Sequence, residues 1–500
     1  MIVEQDLIAC VDLGSNSFRL QICRNANGAL QIVDSVKETV RMAAGLDNQK
    51  NLTDETRRRA LHCLMRFGER LRGFLPERVR AVATNSFRVM NNVAPFLRDA
   101  ETALGFAIDI IAGREEARLI YTGVLHSVPF NGRQALIVDI GGGSTEFVIG
   151  KNERPTVAES LPLGCVAYSV RFFPDGQVNA ERFQAAVNTA RAEIQRISGS
   201  LKAVSWDFAV GTSGTARTIR NIVLERFGVD KITQEHIDLL GQELIAAGSA
   251  ENTHWQGLTD DRMPIIAGGL SVLTAVFAEL SLTEITVTDA ALRDGVFYDL
   301  IGRTPNNDLR DETVAEFQRR YRIDTMQAER VKNIALYYWQ ILSTQLTKND
   351  SDYWQHCLSW AANLHEIGLS IAYTAYHKHS AYILDHADMP GFSRQDQQHL
   401  AMLVLAHRGN LKKIEEELNA CPQEYLAIIA LRLATLFCRG RKDFRLPENT
   451  QLHFDLHKRH CDLSIDRLWL ADNPLTAQAL VFESESWQKI GVEFQIRLLA

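Results

Sequence analysis

From residue 7 to about residue 300 the apolar and polar positions alternate as short strands, tight turns and amphipathic helices. Residues 7–11 form a continuous apolar run of buried-strand length. Phe18, Leu20 and Ile22 then alternate with Arg19, Gln21 and Cys23, the period of a half-buried strand. The turn-forming Asp12-Leu-Gly-Ser-Asn-Ser17 lies between them, so the two runs read as a hairpin with an exposed loop. Residues 30–33 read as a third strand. Thr53 is placed to cap a helix whose first turn holds Asp54 and Glu55, and Leu61, Leu64, Phe67 and Leu71 follow at helical spacing. Strands are expected at 79–83 and 107–112, and Gly113-Arg-Glu-Glu-Ala-Arg118 opens another amphipathic helix. This alternation predicts an α/β lobe.

The pattern restarts after residue 130. The apolar 135–140 precedes Gly141-Gly-Gly-Ser-Thr145, and 147–149 follows, again strand, turn, strand. A third glycine-bearing turn, Gly211-Thr-Ser-Gly-Thr215, is expected after a strand at 207–210. From about Asp311 long helical stretches take over, for example 325–345 and 359–372. Beyond Pro447 short alternating runs such as 452–456 predict a small α+β appendage. Linkers are expected near 303–311 and 440–450.

Composition narrows the class. A chain of 500 residues exceeds one ordinary core. A net charge of -7 argues against a uniformly basic nucleic-acid binder. No stretch reads as a membrane span or a secretion signal, and the eight cysteines are scattered without a CxxC pair. A cytoplasmic protein with reduced thiols is expected.

The candidate chemistry sits in the turns. In the first, Gly14 lets backbone N–H groups approach an anion, and Ser15, Asn16 and Ser17 add side-chain donors. In Asp139-Ile-Gly-Gly-Gly-Ser-Thr-Glu146, Gly142 and Gly143 favour close backbone approach and Ser144 and Thr145 supply hydroxyls. Asp139 and Glu146 supply hard oxygen ligands suited to Mg²⁺. Gly211, Ser213 and Gly214 form a third turn of phosphate type. Each turn alone also reads as a polar loop; the specificity lies in the trio.

These segments resemble the superfamily of actin, sugar kinases and heat-shock ATPases, two related lobes clamping a polyphosphate. Within it, Asp12–Phe18, Gly113–Leu119, 139–146, 211–215 and Ala291-Leu-Arg-Asp-Gly295 are similar to the exopolyphosphatase / guanosine pentaphosphate phosphohydrolase family. Leu364-His-Glu-Ile-Gly368, His379-Ser-Ala-Tyr382 and Pro390-Gly-Phe-Ser393 extend the resemblance over nearly the whole chain. It implies an α/β fold of two actin/ribonuclease-H-like lobes (1–124 and 125–306), an all-α HD-like domain (307–446) and a small C-terminal α+β domain (447–500). Gly143, where the pentaphosphate branch often carries alanine, favours the exopolyphosphatase branch.

Hydrolysis of a phosphoanhydride needs an oriented water and neutralised oxygens. Glu115 and Glu116 are the candidate bases; adjacent helical residues point ~100° apart, so one of them faces a cleft. The resemblance favours Glu116, with Glu115 complementing the helix dipole. It also raises Arg88 and Arg262 as phosphate clamps. His365-Glu366, His377, His379 and His407 do not restore the HD metal set, so the helical domain reads as structural and substrate-handling. Basic residues cluster at Arg439, Arg441, Lys442 and Arg445, at His457-Lys-Arg-His460, and at Lys412-Lys413 ahead of Glu415-Glu-Glu417, a possible lane for a polyanion. The expectation is a Mg²⁺-dependent exopolyphosphatase, acting on inorganic polyphosphate, with a homodimeric state implied by the family. Guanosine pentaphosphate hydrolysis in the same cleft is the nearest alternative. A non-catalytic alarmone sensor is a third, and a sugar kinase lacks its sugar-binding residues.

Overall fold

The computed structural model describes residues 7–26, 29–302, 308–415, 418, 423–443, 446–447 and 449–499. It divides into two compact units, Met1–Asn307 and Asp308–Ala500.

The first unit holds two mixed sheets. In one, β1 (Leu7–Leu13), β2 (Ser17–Ala26), β3 (Ala29–Thr39), β4 (Val79–Ala83) and β5 (Ile108–Ile110) lie in the order β3-β2-β1-β4-β5. In the other, β6 (Ala135–Ile140), β7 (Thr145–Gly150), β8 (Pro155–Leu161), β9 (Phe208–Thr212), β10 (Ile232–Thr233) and β11 (Glu284–Val287) run β10-β11-β9-β6-β7-β8. The two begin alike: β1 pairs antiparallel with β2 and parallel with β4, and β6 pairs antiparallel with β7 and parallel with β9. The repeated hairpin of the sequence is therefore a repeated sheet core.

Helices Gly113–Ser127 and Leu292–Gly302 pack against each other and share one core with residues of both sheets, among them Cys10, Val82, Ile137 and Val210. Their crossing is close because Gly295 sits on Leu119, whose carbonyl leaves no room for a side chain. The apolar helix Ile266–Leu280 is almost wholly buried, against helices Ala180–Val204 and Cys165–Phe172. Its predominantly apolar sequence reflects that core position.

Two expectations change. The β2 face carrying Gln21 and Cys23 is buried as well, because Arg293 covers it and donates to Gln21 at 3.2 Å. The third turn is no loop: β9 runs through Thr212 and helix Ser213–Phe227 starts at the next residue, with Ser213 at a left-handed φ of 69° making the corner.

The second unit is helical from Leu309, and ends in a small sheet of β12 (Gln451–Asp455), β13 (His460–Asp466) and β14 (Glu493–Leu499). Its first helices are as expected, but the stretch 359–372 breaks: helix Lys348–Leu364 ends and a 3₁₀ turn, Ile367–Ser370, follows. Phe454, Leu463 and Trp487 join Trp339, Trp360 and Leu426 in one continuous core, so the appendage beyond residue 447 is packed onto the helices.

Candidate active site

The β1–β2 and β6–β7 turns meet tip to tip in the first unit. A methyl group on Gly142 would lie 3.0 Å from Ser15 Cβ and 3.2 Å from the Asn16 nitrogen. The first loop is therefore buried rather than exposed; Ser15 and Asn16 keep only 5% and 8% of their surface. Gly143 is needed for a different reason: a methyl there would be 2.5 Å from Asn85 Oδ1. The third glycine therefore has a steric reason within this chain, the side chain of Asn85.

Around this junction lies a cleft of about 760 Å³. Gly14, Ser15, Asn16, Ser17, Gly142, Gly143, Ser144, Ser213, Gly214, Arg262, Glu116 and Asp139 all line it. Among the described residues the N–H groups of Gly142, Gly143 and Ser144 donate to no protein acceptor, whereas the Gly142 carbonyl is occupied by the N–H groups of Val166 and Ala167. Donors thus face the cleft and acceptors face away. The first turn of helix Ser213–Phe227 adds the positive end of its dipole.

The remaining expected residues stand behind the wall. Thr145 is fully buried and donates its hydroxyl to the Leu163 carbonyl. Gly211 is a β9 residue packed on Ala216 and Ile285. Glu146 lies opposite Asp139 in the hairpin register, is 1% exposed and accepts from Ser160 Oγ at 2.8 Å. Arg88 donates to Glu116 Oε2 at 2.8 Å and to the Ile111 carbonyl at 2.8 Å, so its charge is engaged by the acid beside the cleft.

Four guanidiniums form part of the lining: Arg19, Arg217, Arg262 and Arg293. Three of them escaped the sequence reading. Arg19 lies two residues beyond Ser17, on the same strand face, and Arg217 one helical turn beyond Ser213, so both follow from strand and helix periodicity once the turns are known. Arg293 sits inside the Ala291–Gly295 motif and reaches Asp12 Oδ2 at 3.4 Å. Arg262 lies flat on Gly214, where no other residue would leave it space.

Like charges crowd each other on both sides of the cleft. Burial and then Arg293, Arg217 and Arg262 pull the Arg19 guanidinium down to about 10. Burial, followed by Glu116, pushes Asp139 up to about 7. Glu146 is raised well above the ordinary carboxylate range by burial, then by Glu116 and Asp139. Burial also raises Glu116, against the pull of Arg88. Among the described residues no three His, Cys, Asp or Glu groups stand close enough to enclose a metal by themselves. A site of one or two carboxylates completed by water and phosphate oxygens is the arrangement Mg²⁺ favours, and the crowded acids fit it. The arginines and free N–H groups fit the phosphate oxygens.

Elsewhere, His365 and His407 are buried with Nδ1 on the Ala362 and Val404 carbonyls, and Glu366 pairs with Arg441. The expected polyanion lane is partly self-neutralised. Arg441 pairs with Asp324 and Glu366, Lys458 with Asp455, and His460 with Asp462 and Glu493. Arg445, Glu416 and Glu417 lie outside the described residues.

Two related α/β lobes of actin-like type, with a cleft furnished for phosphate oxygens and a buried glutamate beside it, are the setting of a phosphoanhydride hydrolase. The chain belongs to the Ppx/GppA phosphatase family: the family model matches residues 21–304, and the model of its domain III matches residues 309–484. It is 35% identical over 498 residues to the guanosine-5'-triphosphate,3'-diphosphate pyrophosphatase of Pseudoalteromonas translucida, covering 98% of each chain. It is 34% identical to that of Aeromonas hydrophila, covering 97% of each. Among solved structures, the Aquifex aeolicus family member is 25% identical with a TM-score of 0.51, covering 59% of this chain and 97% of that one. An exopolyphosphatase from Cytophaga hutchinsonii shares the fold at 24% identity and a TM-score of 0.54, covering 60% of this chain and 99% of that one.

Proposed function

We propose that this protein hydrolyses the terminal 5'-phosphoanhydride of guanosine pentaphosphate, releasing orthophosphate and guanosine tetraphosphate. The observation that carries this reading is the end-to-end similarity to relatives bearing that activity in their names. It displaces the expectation of an exopolyphosphatase, which leaned on Gly143.

In the proposed reaction the terminal phosphoryl group lies between the two glycine turns. Its oxygens accept from the N–H groups of Gly142, Gly143 and Ser144, and from Arg19, Arg217 and Arg262. Glu116 Oε2 is held by Arg88, while Oε1 has no partner among the described residues and can receive a proton. Water donates that proton to Oε1 as its oxygen bonds to the terminal phosphorus. The bond from this phosphorus to the bridging oxygen breaks, and the leaving diphosphate oxygen keeps the electron pair. Mg²⁺, held by Asp139 with Glu146 behind it, would neutralise charge on the phosphate oxygens.

Inorganic polyphosphate is a second reading, favoured by the lining itself. Among the described residues its apolar side chains are Ile120, Ile140, Ala291 and Leu292, and none of its lining is an aromatic ring to hold a base. The cleft thus addresses a phosphate chain end. The test is phosphate release from guanosine pentaphosphate, tripolyphosphate and long polyphosphate under one set of conditions. The expected result is the highest kcat/KM on guanosine pentaphosphate; a higher value on long polyphosphate reverses the assignment.

A further inference from the structure

The helical unit gathers cations around one glycine, and among the described residues no carboxylate is paired with them. Gly409, at a φ of +78°, lies three residues after helix Arg394–Ala406. A methyl group placed on it would stand 3.6 Å from both His377 Nε2 and Lys413 Nζ, so these two groups flank the same small space. Lys413 Nζ donates to the Arg408 carbonyl at 3.0 Å, and the Arg408 guanidinium lies 4.7 Å over the Tyr376 ring. Lys378 is the next residue on the helix that carries His377.

Among the described residues none of Lys378, Arg408 and Lys413 has a carboxylate partner. Arg432, close by, is already neutralised by the buried Glu483. The groups that act on Lys413 after burial are all cations, namely Arg432, Lys378 and Arg408, and the ammonium is held at about 8. The same cations, with Lys413 first, add to burial in holding His377 at about 4. His377 Nδ1 is buried without a hydrogen-bond partner. Gathering like charges costs folding free energy unless something outside the chain offsets it. The basic runs near residues 440 and 458 raise this question less, since Arg441, Lys458 and His460 are paired at home.

We propose that Lys378, Arg408, Lys413 and His377 form a phosphate-binding site in the helical unit, separate from the cleft. Cationic side chains gathered near His377 and Gly409 suit the several oxygens and double charge of a phosphate better than the single charge of a carboxylate. The ligand is a phosphate group, either free orthophosphate or one member of a phosphate chain.

The test uses the full-length Glu116→Gln protein, so that nothing is turned over, with ¹³C-labelled histidine. A His377→Gln variant assigns the His377 resonance among the 14 histidines. Orthophosphate and tripolyphosphate are titrated at constant ionic strength, with chloride as the control anion. Phosphate should shift the His377 resonance saturably and raise its pKa, because the bound anion offsets the surrounding cations. Arg408→Ala and Lys413→Ala should each weaken this binding roughly tenfold, with the other histidine signals unmoved. Binding roughly tenfold tighter for tripolyphosphate identifies a chain segment as ligand, and equal binding identifies a single phosphate. No saturable shift with either phosphate, or an equal shift with chloride, overturns the proposal. The readout is independent of turnover, so its failure is distinct from failure of the hydrolase assignment.

Discussion

Arg88 Nη1 lies 2.8 Å from Glu116 Oε2, and the same nitrogen reaches the Ile111 carbonyl at 2.8 Å, so a backbone-anchored cation fixes one oxygen of the candidate base. Arg88 also holds down the pKa of an acid that burial raises. Replacing Arg88 by Gln should therefore raise the pKa of Glu116 and move the acid limb of the kcat–pH profile to higher pH. An unmoved limb with lowered kcat would mean that Arg88 contacts substrate instead.

Glu116→Gln should lower kcat by about 10²–10⁴ with KM little changed, since the shape remains and the base is lost. Single-turnover and steady-state phosphate release both read this out. Near-normal turnover would remove Glu116 from the mechanism.

The neighbouring glutamate should respond in the opposite sense. Glu115 is buried and holds Arg118 through both oxygens, at 2.7 and 2.8 Å, while Arg118 also pairs with Asp299. Glu115→Gln breaks a buried network and should cost about 3–5 kcal/mol of stability. In whatever protein folds, kcat should stay within a few-fold of normal. Urea denaturation and kcat per folded molecule distinguish the two outcomes.

Metal dependence should follow Asp139. Chelation should abolish phosphate release and Mg²⁺ restore it. Asp139→Asn should raise the Mg²⁺ concentration for half-maximal rate by roughly tenfold or more. An unchanged Mg²⁺ response in that variant, measured by titration, would place the ion elsewhere.

Acid should weaken the helical unit. Burial lowers the pKa of His365, His399 and His407, and lowers that of His377 from 6.5 to about 4. Above about 6.5 these groups are neutral both folded and unfolded. Below it the unfolded chain takes up protons that the folded unit refuses, so stability falls as pH drops from about 6.5 through the folded values. Each such proton contributes a slope of up to about 1.4 kcal/mol per pH unit. Five of the seven tryptophans lie in this unit, so their fluorescence in urea at pH 7.5 and pH 5 reports the loss. His407→Gln should flatten the slope; an unchanged slope would show that this imidazole titrates normally.

The hairpins and their glycines are legible in the sequence because turn chemistry and strand period are local. Asp12–Ser17 and 139–146 could be recognised without knowing what they touch. The burial of Ser15 and Asn16 could not, since it depends on two turns 130 residues apart meeting tip to tip. Arg19, Arg217 and Arg293 fail for the same reason: a lone arginine on a strand or helix face gains meaning only when the topology brings it beside others. The late basic runs mislead in the converse way. Arg441 and His460 look available in sequence, but Glu366 and Glu493 claim them. Gly143 was read for its identity across a family, whereas its neighbour Asn85 explains it within this chain.

The opening turn of helix Gly113–Ser127 has three consecutive side chains tied in three directions: Arg114 to Glu159 at 2.8 Å, Glu115 to Arg118, and Glu116 to Arg88. Helix ends ordinarily fray, because their first N–H groups lack partners and their side chains are free to wander. This end is moored like a mast by stays on three sides. The bearing of Glu116 is thus set during folding, before any phosphate arrives. Little rotational freedom is left for the carboxylate to surrender when a ligand reaches the cleft.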